Sequence, residues 1–581
     1  METLLTTFRE KLTASIGRAF GDALSDLERI ADVAACVQEE FGHYQCNSAL
    51  RLSKLLKQSP RAIAQKIIDH FDTDMCSKIE IAGPGFINFT LSSSFLSTQL
   101  QNQLNNPFLG ACPPAKKQKV IVEFSSPNIA KELHVGHIRS TIIGDCLARL
   151  FEFLGQSVVR LNHLGDWGTQ FGMLITYMKE FCPSVLTGEE PTDLHSLMTW
   201  YKASKKRFDE DPDFKSRAQK EVVHLQAGNK EAMHAWKLIC DVSRKGFQEI
   251  YDLMDVRLTE RGESFYNPML KEVVEELDKK GLVTISDGAK CIYLEGFQNR
   301  EGEPLPLMIQ KSDGGYNYDT TDLAAIRHRI FVEKADRIIV VVDGGQSLHF
   351  QMIFAAAEKA GWLDPKKVQV EHVGFGLVLG PDGKKYKTRS GETEKLIDLL
   401  TEAVDHARKI LVERLPSASG DEIEKLARVL GIGAVKYADL SSLRTKDYTF
   451  SYERMLKFEG NTAVFLLYAY VRINGIKRKT GANMKDVLAE NRIKVEHPSE
   501  ISLGIHLRRF GETIEIMARD LLPNRLTDYL YELAEKFNAF FRDCRVEGTA
   551  EEGSRLVLCE LTARVMKQGL EILGLETVDR M

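Results

Sequence analysis

The sequence predicts a multidomain α/β protein with an α+β unit at the N-terminus, a Rossmann-type doubly wound parallel sheet in the middle and an all-α helical bundle at the C-terminus. Three observations predict it. At 581 residues the chain is too long for a single hydrophobic core. Short apolar runs alternate with helical periodicity between about residues 118 and 395. Beyond 396 the strand signals fade, and apolar residues recur at three- and four-residue spacing, as in Leu526, Tyr529, Leu530, Leu533 and Phe537.

The first unit covers 1–112. Helical patterning spans about 5–40 and 45–71. Residues 74–91 then read as strand, turn and strand around Gly83-Pro84-Gly85, with Phe86, Asn88 and Thr90 alternating with Ile87, Phe89 and Leu91. A linker with Asn105-Asn106-Pro107 and Pro113-Pro114 leads out. In the second unit, 118–395, the pattern predicts a strand at 120–124, a helix at 138–154, a strand at 157–161 and a helix at 166–179. Charged helical stretches at 197–208 and 218–254 then interrupt the alternation, so 181–300 reads as an insertion between two halves of a nucleotide fold. Alternation returns with a strand at 337–342, a helix at 347–360 and a strand at 368–378. A ligand of such a sheet sits outside the carboxyl ends of its strands. The third unit, 396–581, carries helical patterns at 396–415, 421–437, 460–479, 502–520, 525–542 and 553–573.

Apolar residues make up 43% and charged residues 27%, an ordinary soluble composition. No window of about 18 uninterrupted apolar residues exists, so no membrane span is expected. The first residues lack a signal-peptide layout. Ten cysteines lie singly with no C-x-x-C pair, which predicts neither bound zinc nor a disulfide framework and fits a cytoplasmic protein. The net charge of −5 does not exclude nucleic acid, because that electrostatic term depends on local patches. Basic clusters occur at Lys205-Lys206-Arg207, at 384–389, and at Arg472 with Lys477-Arg478-Lys479.

Three constellations could carry chemistry. The first is His134-x-Gly136-His137, between the apolar run 119–124 and a helical pattern. A strand, turn and helix start of this kind presents free N–H groups and a positive dipole end to a phosphate. Two imidazoles three residues apart lie on one helical face and can donate to the same polyanion. The second is the glycine-bounded basic loop 380–391, with Lys384, Lys385, Lys387 and Arg389, which could stabilise charge on a leaving pyrophosphate. In the third, Tyr318 and Asp322 stand four residues apart at a helix start. A guanidinium wants a planar carboxylate partner and tolerates stacking on a ring. Glu123 at the end of an apolar strand could be a second acceptor, since a charge there is costly without a partner. Asn128 could bind a carboxyl or amino group.

The wider wording makes the assignment specific. Ser125-Ser126-Pro127-Asn128-Ile129-Ala130-Lys131 precedes the histidines, and Asn162-His163-Leu164-Gly165-Asp166-Trp167-Gly168-Thr169-Gln170-Phe171-Gly172 follows them. The chain thus resembles class I aminoacyl-tRNA synthetases through their HIGH signature, and arginyl-tRNA synthetases in particular, over essentially its full length. The resemblance implies activation of L-arginine with Mg-ATP to arginyl-adenylate and pyrophosphate, then transfer to the terminal adenosine of tRNA(Arg). It implies a requirement for bound tRNA even in the first step. His134, His137, Lys131, Lys387 and Arg389 would be catalytic. Pro127, Asn128, Gly136, Lys384 and Lys385 would join the two histidines around ATP. The second class I signature is normally Lys-Met-Ser-Lys-Ser, and Tyr386-Lys387-Thr388-Arg389-Ser390 lacks its second lysine. Which of Lys384, Lys385, Lys387 and Arg389 meets the phosphates stays open. Arginine would be bound by Glu123, Asn128, Tyr318 and Asp322 with either Gln346 or Gln351. The first unit would touch the tRNA elbow, and the last would read the anticodon with Tyr468, Arg472 and Met581. A monomer is expected. A small-molecule adenylyltransferase would need neither the leader nor the helical tail; a non-catalytic RNA-binding paralogue would not need His134, His137, Glu123 and Asp322 intact. Cysteinyl or glutamyl specificity is less consistent with two acids in the pocket and no zinc ligands.

Overall fold

The computed structural model of the protein describes residues 2–36, 38–386 and 394–581. They form two compact units, one of 116–455 and one combining 1–115 with 456–581.

The 116–455 unit is built on a five-stranded parallel sheet. Its strands run in the order Gln369–His372, Arg337–Val340, Lys119–Glu123, Ser157–Asn162 and Thr259–Glu260. Val120, Ile121 and Val122 are buried on both faces, which explains why this strand reads as a continuous apolar run rather than an alternation. The first strand lies between a later strand on one side and the next strand on the other. That is the switch point of a doubly wound sheet, and the crevice opens beyond Glu123. Helices Val135–Phe153, Tyr318–Phe331 and Ser347–Lys359 all begin at this carboxyl edge. Ile121, Leu161, Ile338 and Val340 pack with Leu323, Ile353 and Ala356 in one core.

The insertion departs from the expectation of helices alone. Its helices include Leu194–Glu210, Pro212–Gln226, Lys230–Leu253 and Asn267–Lys279. The expected 218–254 helix breaks where Gly228 adopts φ +73° and Asn229 caps the next helix by accepting from the Glu231 and Ala232 amides. Beyond it lies an antiparallel sheet of Thr284–Ser286, Ala289–Gln298 and Pro304–Gln310. The alternation of Ala289–Gln298 is blurred by Lys290, Glu295 and Gly296, yet Ile292 and Leu294 bury into the core of the parallel sheet. Thr259–Glu260, two exposed residues, is too short to give a sequence signal. The expected strand 368–378 splits, and Val378–Leu379 instead pairs in parallel with Tyr448–Thr449. Helices Leu396–Arg414 and Gly420–Leu440 cluster with this unit.

In the other unit, the first helix stops at Phe20 rather than near 40. Gly21 at φ +48° ends it, and Val33–Ala35 and Tyr44–Cys46 are strands in a four-stranded antiparallel sheet with Phe86–Leu91 and Cys76–Ala82. Three-residue strands carry too little alternation to be read. Phe8, Tyr44, Phe71 and Phe89 form an aromatic core. Helices Ala463–Lys479, Pro498–Arg508, Phe510–Asp520, Asn524–Asp543 and Glu552–Ile572 make up the C-terminal part. Among the described residues, no helix is long and apolar enough to cross a membrane.

Candidate active site

The two histidines cap their own helix. His134 is the N-cap of Val135–Phe153, and its Nδ1 accepts from the Gly136 amide at 3.0 Å. His137 Nδ1 accepts from the His134 amide at 3.1 Å. Both Nδ1 atoms are therefore acceptors, and in a neutral imidazole the proton then sits on Nε2. Burial, with the charges of Lys385 and Lys131, lowers the His134 pKa. Burial and neighbouring His134 push His137 down to about 3. The result is a pair of neutral rings, 4.0 Å between centroids, each with an Nε2–H to donate to a phosphate oxygen. Gly136 has a structural reason as well, because a Cβ there would stand 2.7 Å from His134 Cε1.

The preceding loop is strained. Ser125, Ser126 and Ala130 have φ of +70°, +48° and +61°. Such conformations persist where surroundings over-determine them. Here Ser125 N–H donates to Ser140 Oγ, Ser126 N–H to Asn162 Oδ1, and Ala130 N–H to Ser243 Oγ, at 2.9–3.0 Å. Pro127 is buried, and its carbonyl accepts from the Gly165 amide. Asn128 is exposed and lies over Gly165, where a Cβ would come within 2.1 Å of Asn128 Oδ1.

Lys131 Nζ stands 5.2 Å over the Tyr201 ring, so a helix of the insertion meets the signature loop. Lys384 and Lys385 are exposed on a tight turn in which Gly380 N–H donates to the Lys384 carbonyl at 2.8 Å. Lys385 acts electrostatically on His134, so the base of the basic loop faces the signature. Lys387 and Arg389 lie outside the described residues. Just beyond them, Val135 N–H donates to the Glu394 carbonyl and Leu396 N–H to the Leu133 carbonyl, tying the loop's far end to the signature.

Glu123 is buried, and the partner that burial demands comes from within the chain: Arg329 Nη2 lies 2.5 Å from Glu123 Oε2. The chain also supplies a partner for Asp322. His349 Nε2 stands 2.6 Å from Asp322 Oδ2 and its Nδ1 3.2 Å from Asp319 Oδ1. Tyr318 is 62% exposed, and its ring stands at 63° to that of His349 with centroids 5.3 Å apart. Gln346 and Gln351 are both exposed. Gln351 Nε2 donates to Ser347 Oγ on its own helix at 3.1 Å, and Gln346 is the N-cap of that helix.

Sequence reasoning missed two members of this pocket. Half-buried Glu263 has its carboxyl pushed up to about 8 by burial and by the charges of Asp322 and Asp166. A carboxyl so placed awaits a cation. Its turn is fixed by Asp166, which accepts from the Ser264 amide at 2.8 Å and the Ser264 hydroxyl at 2.6 Å. No periodicity marks Glu263, but Asp166 belongs to the wording that follows the signature. His349 is the second, and its environment raises it to about 9.

In the other unit, Tyr468 and Phe541 are exposed, and the Arg472 guanidinium lies 4.9 and 5.5 Å from their rings. Arg472 Nη1 also donates to Asn538 Oδ1 at 2.8 Å. Met581 is half-buried; near it, Arg478 Nη1 donates to the Asp579 carbonyl.

Residues 99–452 match the family described as tRNA synthetases class I (R), catalytic domain. Residues 7–91 match the arginyl tRNA synthetase N terminal domain, and 466–581 the DALR anticodon binding domain. The chain is 62% identical over 584 residues to the arginine–tRNA ligase of Protochlamydia amoebophila, covering 100% of both. It is 53% identical over 553 residues to that of Chlamydia caviae, covering 95% of each. Among solved structures, the arginyl-tRNA synthetase of Plasmodium falciparum superposes with TM-score 0.87 at 35% identity over 100% of both chains. The chain belongs to the arginine–tRNA ligase family of class I aminoacyl-tRNA synthetases.

Proposed function

We infer that this protein activates L-arginine with Mg-ATP and transfers it to the 3′-terminal adenosine of tRNA(Arg). The observation that carries the reading is the carboxylate pair Glu263 and Asp322, with the open Tyr318 face, at the carboxyl edge of the sheet that also presents the neutral His134–His137 pair. The acids select a planar cation, and the histidines hold phosphate.

In the first step the arginine carboxylate attacks the α-phosphorus and pyrophosphate leaves. His134 and His137 donate Nε2–H to phosphate oxygens, while Lys131, Lys384 and Lys385, with Lys387 and Arg389, offset charge developing toward the leaving group. Pro127 and Gly136 shape the nucleotide floor, and Asn128 holds the α-substituents of the amino acid. Asp322, Glu263 and Tyr318 take the guanidinium with either Gln346 or Gln351, and Glu123 with Arg329 fixes the strand end beneath them. In the second step a ribose hydroxyl of the tRNA attacks the adenylate carbonyl and AMP leaves. Positioning and charge stabilisation supply the catalysis. The 1–112 segment contacts the tRNA elbow, and the helices of the C-terminal segment take the anticodon, with Tyr468, Arg472 and Met581 against its bases. In this reading the enzyme works as a cytoplasmic monomer.

Arginine-dependent ATP–pyrophosphate exchange, with and without tRNA and with lysine and ornithine as controls, tests the reading. Exchange with arginine only when tRNA is present is expected. Exchange without tRNA would remove the coupling but keep the activity; no exchange in folded protein would overturn the function.

A further inference from the structure

We propose that His349 is a positioning residue for arginine selection: clamped between Asp319 and Asp322, it holds the Asp322 carboxylate in place for the substrate guanidinium. The inference rests on the arginine–tRNA ligase reading and deepens it.

His349 lies in the first turn of helix Ser347–Lys359 and faces the first turn of helix Tyr318–Phe331. Its Nε2 is 2.6 Å from Asp322 Oδ2 and its Nδ1 3.2 Å from Asp319 Oδ1. A neutral imidazole has only one N–H, so two carboxylates on its two nitrogens are both satisfied only by the doubly protonated ring. The ring is 14% exposed and Asp319 11%, so water screens the clamp little. The Tyr318 and Phe350 rings stand at 63° and 76° to it, with centroids 5.3 and 5.0 Å away.

The charged and titratable groups around it are few. Asp319, Asp322 and Tyr318 face it from helix Tyr318–Phe331, and Glu263 from the segment Glu263–Tyr266 acts on Asp322. Without His349, Asp319 and Asp322 would face each other without the cation that now lies between them. Like charges so close repel. His349 offsets one negative charge and engages Asp322 Oδ2, which leaves Oδ1 as the acceptor for the guanidinium. The clamp thereby converts a flexible acid into an oriented one, which is what a planar guanidinium needs and a point-charge ammonium does not.

The test is steady-state aminoacylation by the full chain, wild type against His349→Gln, with arginine, ATP and tRNA varied in turn. Glutamine fills the space and donates to one carboxylate but carries no charge. The expected result is an arginine KM raised about 10- to 100-fold, with kcat and the ATP KM changed by less than about threefold. An arginine KM within about twofold of wild type would overturn the proposal, and so would equal losses in kcat and in every KM. Should His349→Gln fail to fold, the wild-type protein decides the matter. Inhibition by 5-guanidinopentanoate, which lacks the titrating α-amino group, is expected to weaken above about pH 9, where the clamp loses its proton. Inhibition that does not weaken between about pH 8 and 10 would overturn the proposal. Wild-type enzyme that charges tRNA with arginine while either arm fails would remove His349 alone; wild-type enzyme inactive with arginine would remove the function and this inference together.

Discussion

His137 Nδ1 accepts a hydrogen bond from the His134 backbone amide at 3.1 Å, so the signature histidines cap their helix as well as serving the proposed phosphate site. The two roles separate by substitution. His134→Asn keeps an N-cap acceptor and an amide donor, whereas His134→Ala removes both. We expect His134→Ala and His137→Ala each to lower the rate of adenylate formation by about 10²- to 10³-fold, and His134→Asn to lose less. Single-turnover measurement of adenylate formation checks this; equal losses for Asn and Ala would deny the capping contribution.

The same geometry sets a pH dependence. His137 is neutral when folded, with its pKa depressed to about 3, but ionises near 6.5 when unfolded. Between those values the unfolded chain binds the extra proton, so stability falls as pH drops through this window. Wild type is expected to lose more melting temperature between about pH 7 and 5 than His137→Asn, which has no such proton to take up. Parallel curves would contradict the assignment.

Glu263 gives the opposite sign. Its folded pKa of about 8 lies above its unfolded value, so the folded state holds the proton and its stability declines as pH rises from about 4.5 to 8. Glu263→Gln should therefore raise the melting temperature of ligand-free protein at pH 8. The same change should weaken arginine, because guanidinium binding requires the carboxylate. Wild-type arginine affinity should rise with pH up to about 8 as the proton is released on binding, and the slope should flatten in Glu263→Gln. Calorimetric titration in buffers of different ionisation enthalpy counts that proton directly. A stabilised variant with unchanged arginine affinity would place Glu263 outside the pocket.

Arg139, two residues past the signature, lies 3.1 Å from Asp439 through Nε, with both side chains at most 1% exposed. Its Nη1 donates to the Lys446 carbonyl, and the Tyr448 ring lies 5.1 Å away. Tyr448 opens the strand that pairs with Val378–Leu379 ahead of the basic loop, so one guanidinium joins the helix of the first signature to the strand that leads into that loop. Asp439→Ala leaves this charge buried and unpaired and should cost about 3–5 kcal/mol in denaturant titration. Arg139→Met with Asp439→Leu should recover much of that loss in stability. A double variant no better than Asp439→Ala would show that the neighbours, rather than the charge, decide.

The parts of this architecture legible in the sequence were those with a long period or a fixed wording. Val120–Val122, the helix after His134, and the C-terminal helices declared themselves through burial patterns that repeat over many residues. Strands of two or three residues, such as Thr259–Glu260 and Val33–Ala35, did not, because alternation needs length to be seen. At the site, Tyr318 and Asp322 were readable as neighbours on one helix, whereas Glu263 and His349 reach the same space from segments far away in sequence. Glu123 shows the converse: burial demanded a partner, but only the fold could show that Arg329 supplies it.

On the tRNA side, Tyr468 is 40% exposed and Phe541 44%, an unusual surface for two rings joined by one guanidinium. Exposed aromatics bridged by a cation offer faces for unstacked bases. Tyr468→Ala should raise the tRNA KM by the loss of about 1–3 kcal/mol of stacking. Tyr468→Phe should keep most of it, since the ring rather than the hydroxyl carries the contact. Arg472→Ala should weaken tRNA as well, and more steeply at low salt, because it removes a charge near the phosphates along with the brace for both rings. Because activation is expected to need tRNA, these variants should also depress arginine-dependent exchange at limiting tRNA and regain it at saturation. Exchange that stays depressed at saturating tRNA would mean that the ring cluster shapes the catalytic unit rather than the affinity for tRNA.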